Sequence, residues 1–183
     1  MELVEPIRDK KKIEDIKKYL KKKNLRDYTL FVLGINSGLR ISDLLRLTVE
    51  DVKGRERITI REQKTDKLKD FPLSDTCKKA IDEYLKNTGL ETGALFKSRE
   101  GQNKAITRFQ AYKIINEAAR QNKITYAIGT HTLRKTFGYW AYKSGVDIVA
   151  IQQLLNHSAP SVTLRYIGIT KDELDKVYIN LNL

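Results

Sequence analysis

The apolar residues of this chain recur mostly at helical spacing, which predicts a largely helical domain. In the lysine-rich stretch from residue 9 to residue 24, one helical face carries the apolar side chains Ile13, Ile16 and Leu20. A denser apolar segment from 25 to 36 predicts a well-buried second helix that is ended by Gly38. The sequence LRISDLLRLTVEDV then predicts a short helix with Ser42 as its N-cap.

The pattern changes between Arg57 and Leu73, where apolar and polar residues nearly alternate and polar residues occupy the middle. This arrangement predicts a β-hairpin. Three further helices are expected from their hydroxyl N-caps, Ser74, Thr107 and Thr130. Gly145 is expected to end the last of them, and shorter helices are expected over 147–155 and 161–166. The predicted fold class is α+β, mainly α, with one small β-hairpin.

Composition narrows the range of functions. A chain of 183 residues without repeats or Pro/Gly-rich linkers predicts one domain. Lys and Arg number 35 against 23 Asp and Glu, and the net charge of +12 favours a polyanionic partner such as nucleic acid. The longest apolar stretch, residues 28–35, is too short to span a bilayer, and no signal-peptide core is present. We therefore expect a cytoplasmic protein that does not bind membranes.

Two short motifs place charged side chains where they can act on an anion. In HTLR, His131 and Arg134 lie three residues apart on a predicted helix, so both can reach one phosphate. In SGLRISDLL, Arg40 follows the helix break, and Asp43 is placed to orient its guanidinium. A local Arg–Asp surface pair is the simpler alternative for the second motif, and such pairs contribute little to stability.

Three segments are informative as a set. They are GLRISDLL around Arg40, a hairpin lysine eight residues before Pro72, and the run from HTLR to LRY, in which Tyr166 follows His157 by nine positions. In this order, the segments resemble the catalytic domain of the tyrosine recombinases, the family of phage and transposon integrases and chromosome-dimer resolvases. The resemblance covers nearly the whole chain. It implies a site-specific DNA recombinase that needs neither metal ions nor ATP and has no cofactor.

The resemblance implies six catalytic residues, which are Arg40, Lys64, His131, Arg134, His157 and Tyr166. Tyr166 is expected to attack a DNA phosphodiester and form a 3′-phosphotyrosine, from which a 5′ hydroxyl can rejoin the strand. A free tyrosine has a pKa near 10, so the hydroxyl needs nearby positive charge to lose its proton. The two arginines are expected to clamp the non-bridging oxygens as charge develops on them.

The remaining residues have supporting roles in this scheme. His131 is expected to take or relay the proton of the nucleophile, and Lys64 to protonate the departing 5′ oxygen. The alternative to Lys64 is Lys67 on the same turn. His157 is expected to hydrogen-bond a non-bridging oxygen or support the site, and Asp43 to orient an arginine.

Asn156 departs from the family pattern, in which glycine often precedes the second histidine. Asparagine tolerates left-handed backbone better than most residues, so we expect the turn to survive. A structural or catalytic zinc site is disfavoured, because the chain has two histidines and one cysteine without a close third ligand.

The same resemblance predicts the organisation and the partners of the chain. Residues 1–170 are expected to form the catalytic domain, without the N-terminal core-binding domain of full-length relatives. The tail 171–183 ends in the apolar residues Val177, Tyr178, Ile179, Leu181 and Leu183, and it docks either on a neighbouring protomer or back on its own domain. We expect double-stranded DNA as the partner, a homotetramer on DNA, a monomer in isolation, and accessory DNA-bending or directionality proteins in the nucleoid.

Two other functions remain open at this stage. A type IB topoisomerase shares the chemistry and much of the catalytic set, and would relax supercoils without site preference. A non-catalytic DNA-binding module of the same fold would bind duplex DNA without a covalent product. The basic helix over 9–23 and the helix capped by Thr107 are the candidate groove contacts in all three cases.

Overall fold

The structure is a computed structural model that describes residues 4–169 together with Asp175, Ile179 and Asn180. Within residues 4–169 it contains nine helices and two strands, in the order α1 Lys10–Lys23, α2 Leu25–Ser37, α3 Ile41–Leu45, α4 Val49–Val52, β1 Arg57–Arg61, β2 Leu68–Pro72, α5 Asp75–Thr88, α6 Arg108–Gln121, α7 Thr130–Lys143, α8 Ile148–Leu154 and α9 Pro160–Ile167. The predicted class, mainly α with one hairpin, is confirmed. No helix in this part of the chain is long and apolar enough to cross a membrane.

Helix α2 lies at the centre of the main core and packs against α1, α5 and α7. Its apolar side chains include Phe31 and Val32, which are buried as the dense apolar pattern predicts. The predicted face of α1 is also confirmed, because it buries Ile13, Ile16 and Leu20 while its lysines remain outside. At Gly34 the backbone of α2 approaches α7 closely, since a Cβ there would lie 2.4 Å from Leu133 Cδ1.

The β-hairpin pairs β1 and β2 antiparallel, with Ile58 opposite Phe71 and Ile60 opposite Lys69. Ile58 is fully buried, and the alternation of the strand turns every second side chain toward the helices. The turn that follows is closed by two backbone hydrogen bonds, from Glu62 N to Lys67 O and from Asp66 N to Glu62 O, each 2.9 Å long.

Two predicted N-caps are wrong by one or two residues. Ser42 lies inside α3, because Arg40 has the extended cap conformation and its carbonyl accepts from the N–H groups of Asp43 and Leu44. The predicted helix is also divided, since Thr48 caps a separate α4. Thr130 is the first residue of α7 rather than its cap, and the extended residue before it is Gly129.

The last three helices form a second, smaller core. It consists of Tyr139 from α7, Ile151 at the centre of α8, Leu155 after it, Ile167 at the end of α9 and Ile169. Gly145 has φ 85° just after α7, in agreement with its predicted role of ending the helix. The predicted docking of the tail concerns mainly residues outside the described ones; of its apolar residues only Ile179 is described, and it is exposed.

We predict that Gly34→Ala destabilises the protein, although alanine is the better helix former by about 1 kcal/mol. The added methyl would meet Cβ and Cγ of Leu133 at 3.1 and 3.2 Å as well as Cδ1, and Leu133 is buried. Overpacking of this kind costs about 1–3 kcal/mol, measured as the free energy of unfolding in urea. In a Leu133→Ala background the same substitution should cost less, and an equal cost in both backgrounds would contradict the steric explanation.

Candidate active site

The end of α2 determines where the first arginine of the site lies. Gly38 closes the helix with a left-handed φ of 60°, and a Cβ at this position would lie 2.5 Å from the ring of Phe137. Both constraints favour glycine, the residue that adopts this conformation without strain. The chain therefore turns sharply, and Arg40 emerges at the start of α3 with only 16% of its side chain exposed.

The second arginine, Arg134, is buried in α7 and joins three parts of the fold. Its Nη1 donates to the carbonyl of Gly38 at the end of α2, and its Nη2 donates to the carbonyl of Leu155 after α8. Each carbonyl lies at a helix end, where backbone oxygens lack partners within the helix. The guanidinium is thus fixed in orientation by backbone atoms.

A buried carboxylate, Glu62, lies between the two arginines. Its Oε2 is 2.9 Å from Nη1 of Arg40, and its Oε1 is 3.9 Å from Nη1 of Arg134. The side chain of Glu62 is completely buried. The arginines that the sequence places 94 positions apart are therefore brought together around one negative charge.

Asp43 has a different contact from the one predicted. Arg40 forms its ion pair with Glu62, and Asp43 Oδ1 instead accepts the backbone N–H of Gln63 at 2.8 Å. The reason is that the extended cap conformation of Arg40 directs its side chain toward the hairpin and away from the turn of α3. Asp43 is fully buried and anchors the hairpin turn, so it supports the site through Gln63.

Lys64 lies on this hairpin turn and is exposed. Its charge is one of those that lower the pKa of His131. Lys67, the alternative, is also exposed on the turn.

His131 lies at the rim of the site. Its Nε2 is 3.4 Å from Nη2 of Arg108, the first residue of α6. Desolvation lowers its pKa, and the charges of Arg108, Arg134, Lys135 and Lys64 lower it further. The imidazole is therefore held in the neutral form, in which one ring nitrogen can accept a proton.

His157 and Tyr166 pack against each other at the end of the second core. Their ring centroids are 4.8 Å apart in an edge-to-face arrangement, and His157 Nδ1 lies 3.1 Å from Thr163 Oγ1. Desolvation, with the charges of Arg134 and Arg40, lowers the pKa of His157 to about 4. This histidine is therefore neutral at pH 7.

The hydroxyl of Tyr166 is buried and has no hydrogen-bond partner among the described residues. Burial raises its pKa, and the opposing charges of Arg134 and Arg40 reduce that rise. The phenol is protonated at rest. A groove of about 1330 Å³ opens beside it, and its lining includes Arg108, His131, Lys135 and Tyr166.

Four buried side-chain atoms of the described residues lack a hydrogen bond, and the three besides the Tyr166 hydroxyl also belong to this site. They are Arg40 Nη1, Asp43 Oδ2 and Glu62 Oε1. Buried polar groups without partners are rare in folded proteins, so the concentration of four such atoms in this site is unusual. No set of three or more His, Cys, Asp or Glu side chains within the described ranges is arranged to hold a metal ion.

Sequence reasoning missed two buried residues of the hairpin. Glu62 continues the alternation of Ile58 and Ile60, so the period of two contained a signal for an inward side chain. Lys69 is buried opposite Ile60 and donates to the carbonyl of Ser37 at 3.2 Å. Burial, together with the charge of Arg134, lowers the pKa of Lys69 to about 8.

Comparisons with known proteins find relatives by sequence and by fold. A sequence profile of the phage integrase family matches residues 8–173. The chain is 48% identical over 178 residues to the probable integrase/recombinase YoeC of Bacillus subtilis, with 97% of each chain covered. It is 32% identical to tyrosine recombinase XerC of Pelobacter propionicus, where 84% of this chain aligns with 51% of the relative. The chain thus spans about half the length of that Xer protein.

Solved structures share the fold. The crystal structure of XerA recombinase gives a TM-score of 0.80 at 22% identity, covering 98% of this chain and 66% of that one. The catalytic domain of bacteriophage HP1 integrase gives a TM-score of 0.62 at 20% identity. The match covers 96% of this chain and 94% of that one.

We predict that His157 titrates far below an ordinary histidine, near pH 4 rather than 6.5. The chain has two histidines, so proton NMR of the ring signals, assigned with His131→Gln, measures this directly. Arg40→Gln should raise the midpoint because it removes a repelling charge. The unfolded chain binds this proton at a higher pH than the folded chain, so stability should fall between pH 6.5 and 4, and less steeply in His157→Gln. An unshifted midpoint would contradict the buried environment.

Proposed function

Because this chain belongs to the phage integrase family, we propose that it breaks and rejoins duplex DNA by transesterification, with Tyr166 as the nucleophile. The observation that carries the proposal is the position of the Tyr166 hydroxyl, which is buried, unpartnered and within the field of two arginines. Burial keeps this phenol protonated at neutral pH, so its attack needs a base that accepts the proton. A phosphodiester clamped by the same two arginines is the proposed reaction partner.

The proposed first step forms the bond between Tyr166 Oη and phosphorus and breaks the bond between phosphorus and the 5′ oxygen. Arg40 and Arg134 hold the non-bridging oxygens as negative charge develops on them. His131 accepts the phenolic proton, because its lowered pKa leaves a ring nitrogen unprotonated at neutral pH. His157 supports the site through its packing on the Tyr166 ring.

Lys64 is proposed to give its proton to the departing 5′ oxygen. Its position on an exposed turn lets it approach bound DNA, and its place eight residues before Pro72 favours it over Lys67. The 3′-phosphotyrosine then reacts with a 5′ hydroxyl of another strand, which releases Tyr166 and restores a phosphodiester. The number of phosphodiester bonds is conserved, so the proposed reaction needs no ATP, and the two guanidinium groups provide the charge stabilisation without a metal ion.

Double-stranded DNA is the proposed partner. Among the structural neighbours, the Tn1549 transposon integrase was solved with transposon right end DNA, and XerH recombinase with difH substrate. The groove beside Tyr166 is lined by Arg108, Lys135 and Arg165, and of the two candidate helices only α6 contributes to it. We further propose a monomer in solution, a homotetramer on DNA assisted by accessory DNA-bending proteins, and a location in the nucleoid.

We predict that a nicked duplex suicide substrate gives a covalent protein–DNA product with the native chain and none with Tyr166→Phe, in EDTA and without ATP. The matched control is Tyr142→Phe, a tyrosine that packs in the same small core. Denaturing gels score the product. A covalent band that persists in Tyr166→Phe would contradict the assignment, and efficient relaxation of supercoiled DNA without site preference would indicate a topoisomerase instead.

We also predict that duplex binding weakens steeply with salt, because most of the attraction comes from phosphate neutralisation by a chain of net charge +12. Affinity should fall by orders of magnitude between about 50 and 200 mM salt. Fluorescence anisotropy with a labelled duplex measures the affinity at each salt concentration. An affinity independent of salt would contradict binding by phosphate neutralisation.

A further inference from the structure

Glu62 is the point at which three catalytic segments meet. Its Oε2 lies 2.9 Å from Arg40 Nη1 and accepts hydrogen bonds of 2.7 Å from Thr65 Oγ1 and from Asn156 Nδ2. Thr65 follows Lys64 on the hairpin turn, and Asn156 precedes His157. One fully buried carboxylate therefore contacts the segments that carry an arginine, the lysine and a histidine.

We propose that Glu62 and Asn156 form a positioning pair that holds the Arg40 guanidinium toward the scissile phosphate and ties the Lys64 turn to the His157 turn. The inference rests on the proposed function. Neither residue touches the reacting atoms in this scheme, and both act through Arg40 and through the turns. Neither belongs to the six residues that the resemblance to tyrosine recombinases implies.

The two arginines differ in how they are held, and this difference makes Arg40 depend on Glu62. Arg134 is fixed by the backbone carbonyls of Gly38 and Leu155. Among the described residues, Arg40 has no hydrogen bond that fixes its Nη1, and Glu62 is its ion-pair partner. Loss of the Glu62 charge should therefore release Arg40 and leave Arg134 in place.

Glu62 is ionised in the folded protein. Burial opposes its ionisation, but the hydrogen bonds from Thr65 and Asn156 and the charge of Arg40 outweigh that effect, so its pKa lies below the usual value. A carboxylate binds a guanidinium more strongly than a neutral carboxylic acid does, because its hydrogen bonds are charge-assisted. The charge of Glu62 is thus part of the site near neutral pH.

Asn156 adopts a backbone conformation that favours glycine, the residue without a side chain. Its φ is 48°, in the left-handed region that glycine adopts with least strain and asparagine tolerates. The expectation that asparagine preserves this turn is in line with that conformation. What asparagine adds beyond glycine is the hydrogen bond from its amide to Glu62, which spans 94 positions of the sequence.

The test compares Glu62→Gln and Asn156→Gly with the native chain in single-turnover cleavage of the suicide substrate. Glutamine keeps the shape of the side chain and removes its charge, and glycine keeps the left-handed turn and removes the amide. The matched control is Glu56→Gln, which removes an exposed glutamate next to β1 that pairs with Lys78. Duplex affinity and thermal stability are measured for each variant.

We expect Glu62→Gln to slow cleavage by roughly 10- to 100-fold, the range that misplacement of a clamping group produces, with duplex affinity nearly unchanged. Asn156→Gly should slow cleavage to a smaller extent, and should have no further effect in a Glu62→Ala background, where its acceptor is missing. Cleavage at the native rate by both single variants would overturn the proposal. If Glu62→Gln fails to fold, the cleavage rate of Asn156→Gly relative to the native chain decides whether the proposal holds.

A second measurement is independent of cleavage. NMR of the arginine Nε–H groups should show that the Arg40 signal broadens or exchanges faster in Glu62→Gln, while the Arg134 signal persists as an internal control. An unchanged Arg40 signal would overturn the proposal. If the native chain forms no covalent product through Tyr166, the proposed function fails, and the Arg40 signal still decides whether Glu62 positions this arginine.

Discussion

The burial of Arg134 is the constraint on which the site depends. A guanidinium cannot lose its charge inside a protein, so its donors need acceptors at fixed positions. Two of those acceptors are the carbonyl groups of Gly38 and Leu155, at the ends of α2 and α8. The requirement therefore joins the main core to the smaller core of the last three helices, against which Tyr166 packs.

Desolvation of each group and the charges of nearby cations set the electrostatic state of the free site. The lowered pKa values of His131 and His157 and the raised pKa of Tyr166 leave all three groups neutral near pH 7. Glu62 is ionised and lies between the two arginines of the site. This state suits an anion, because a phosphodiester would add negative charge next to cations that are only partly compensated.

Most of the fold was predictable because helix periodicity, glycine stops and hairpin alternation are local signals. The cap at Ser42 was mispredicted because the choice between adjacent residues depended on the extended backbone of Arg40, which tertiary packing determines. The resemblance to a known family predicts the six candidate residues, but it does not predict which residue forms the ion pair with Arg40. Asp43 is near Arg40 in sequence, whereas Glu62 is near it in space, and a strand period of two marks an inward position without identifying the contact made there.

The contact between Glu62 and Asn156 also constrains how such a site can vary. A side chain at a backbone φ of 48° carries a conformational cost, which a hydrogen bond to a charged acceptor offsets. Without a carboxylate at position 62, the asparagine amide would be left partly buried without its acceptor, and glycine would be the better residue. Without asparagine, the carboxylate would lose one of the two hydrogen bonds that stabilise its charge away from water. The residues at positions 62 and 156 are therefore expected to vary together among related sequences. The orientation of the Arg40 guanidinium should depend on both.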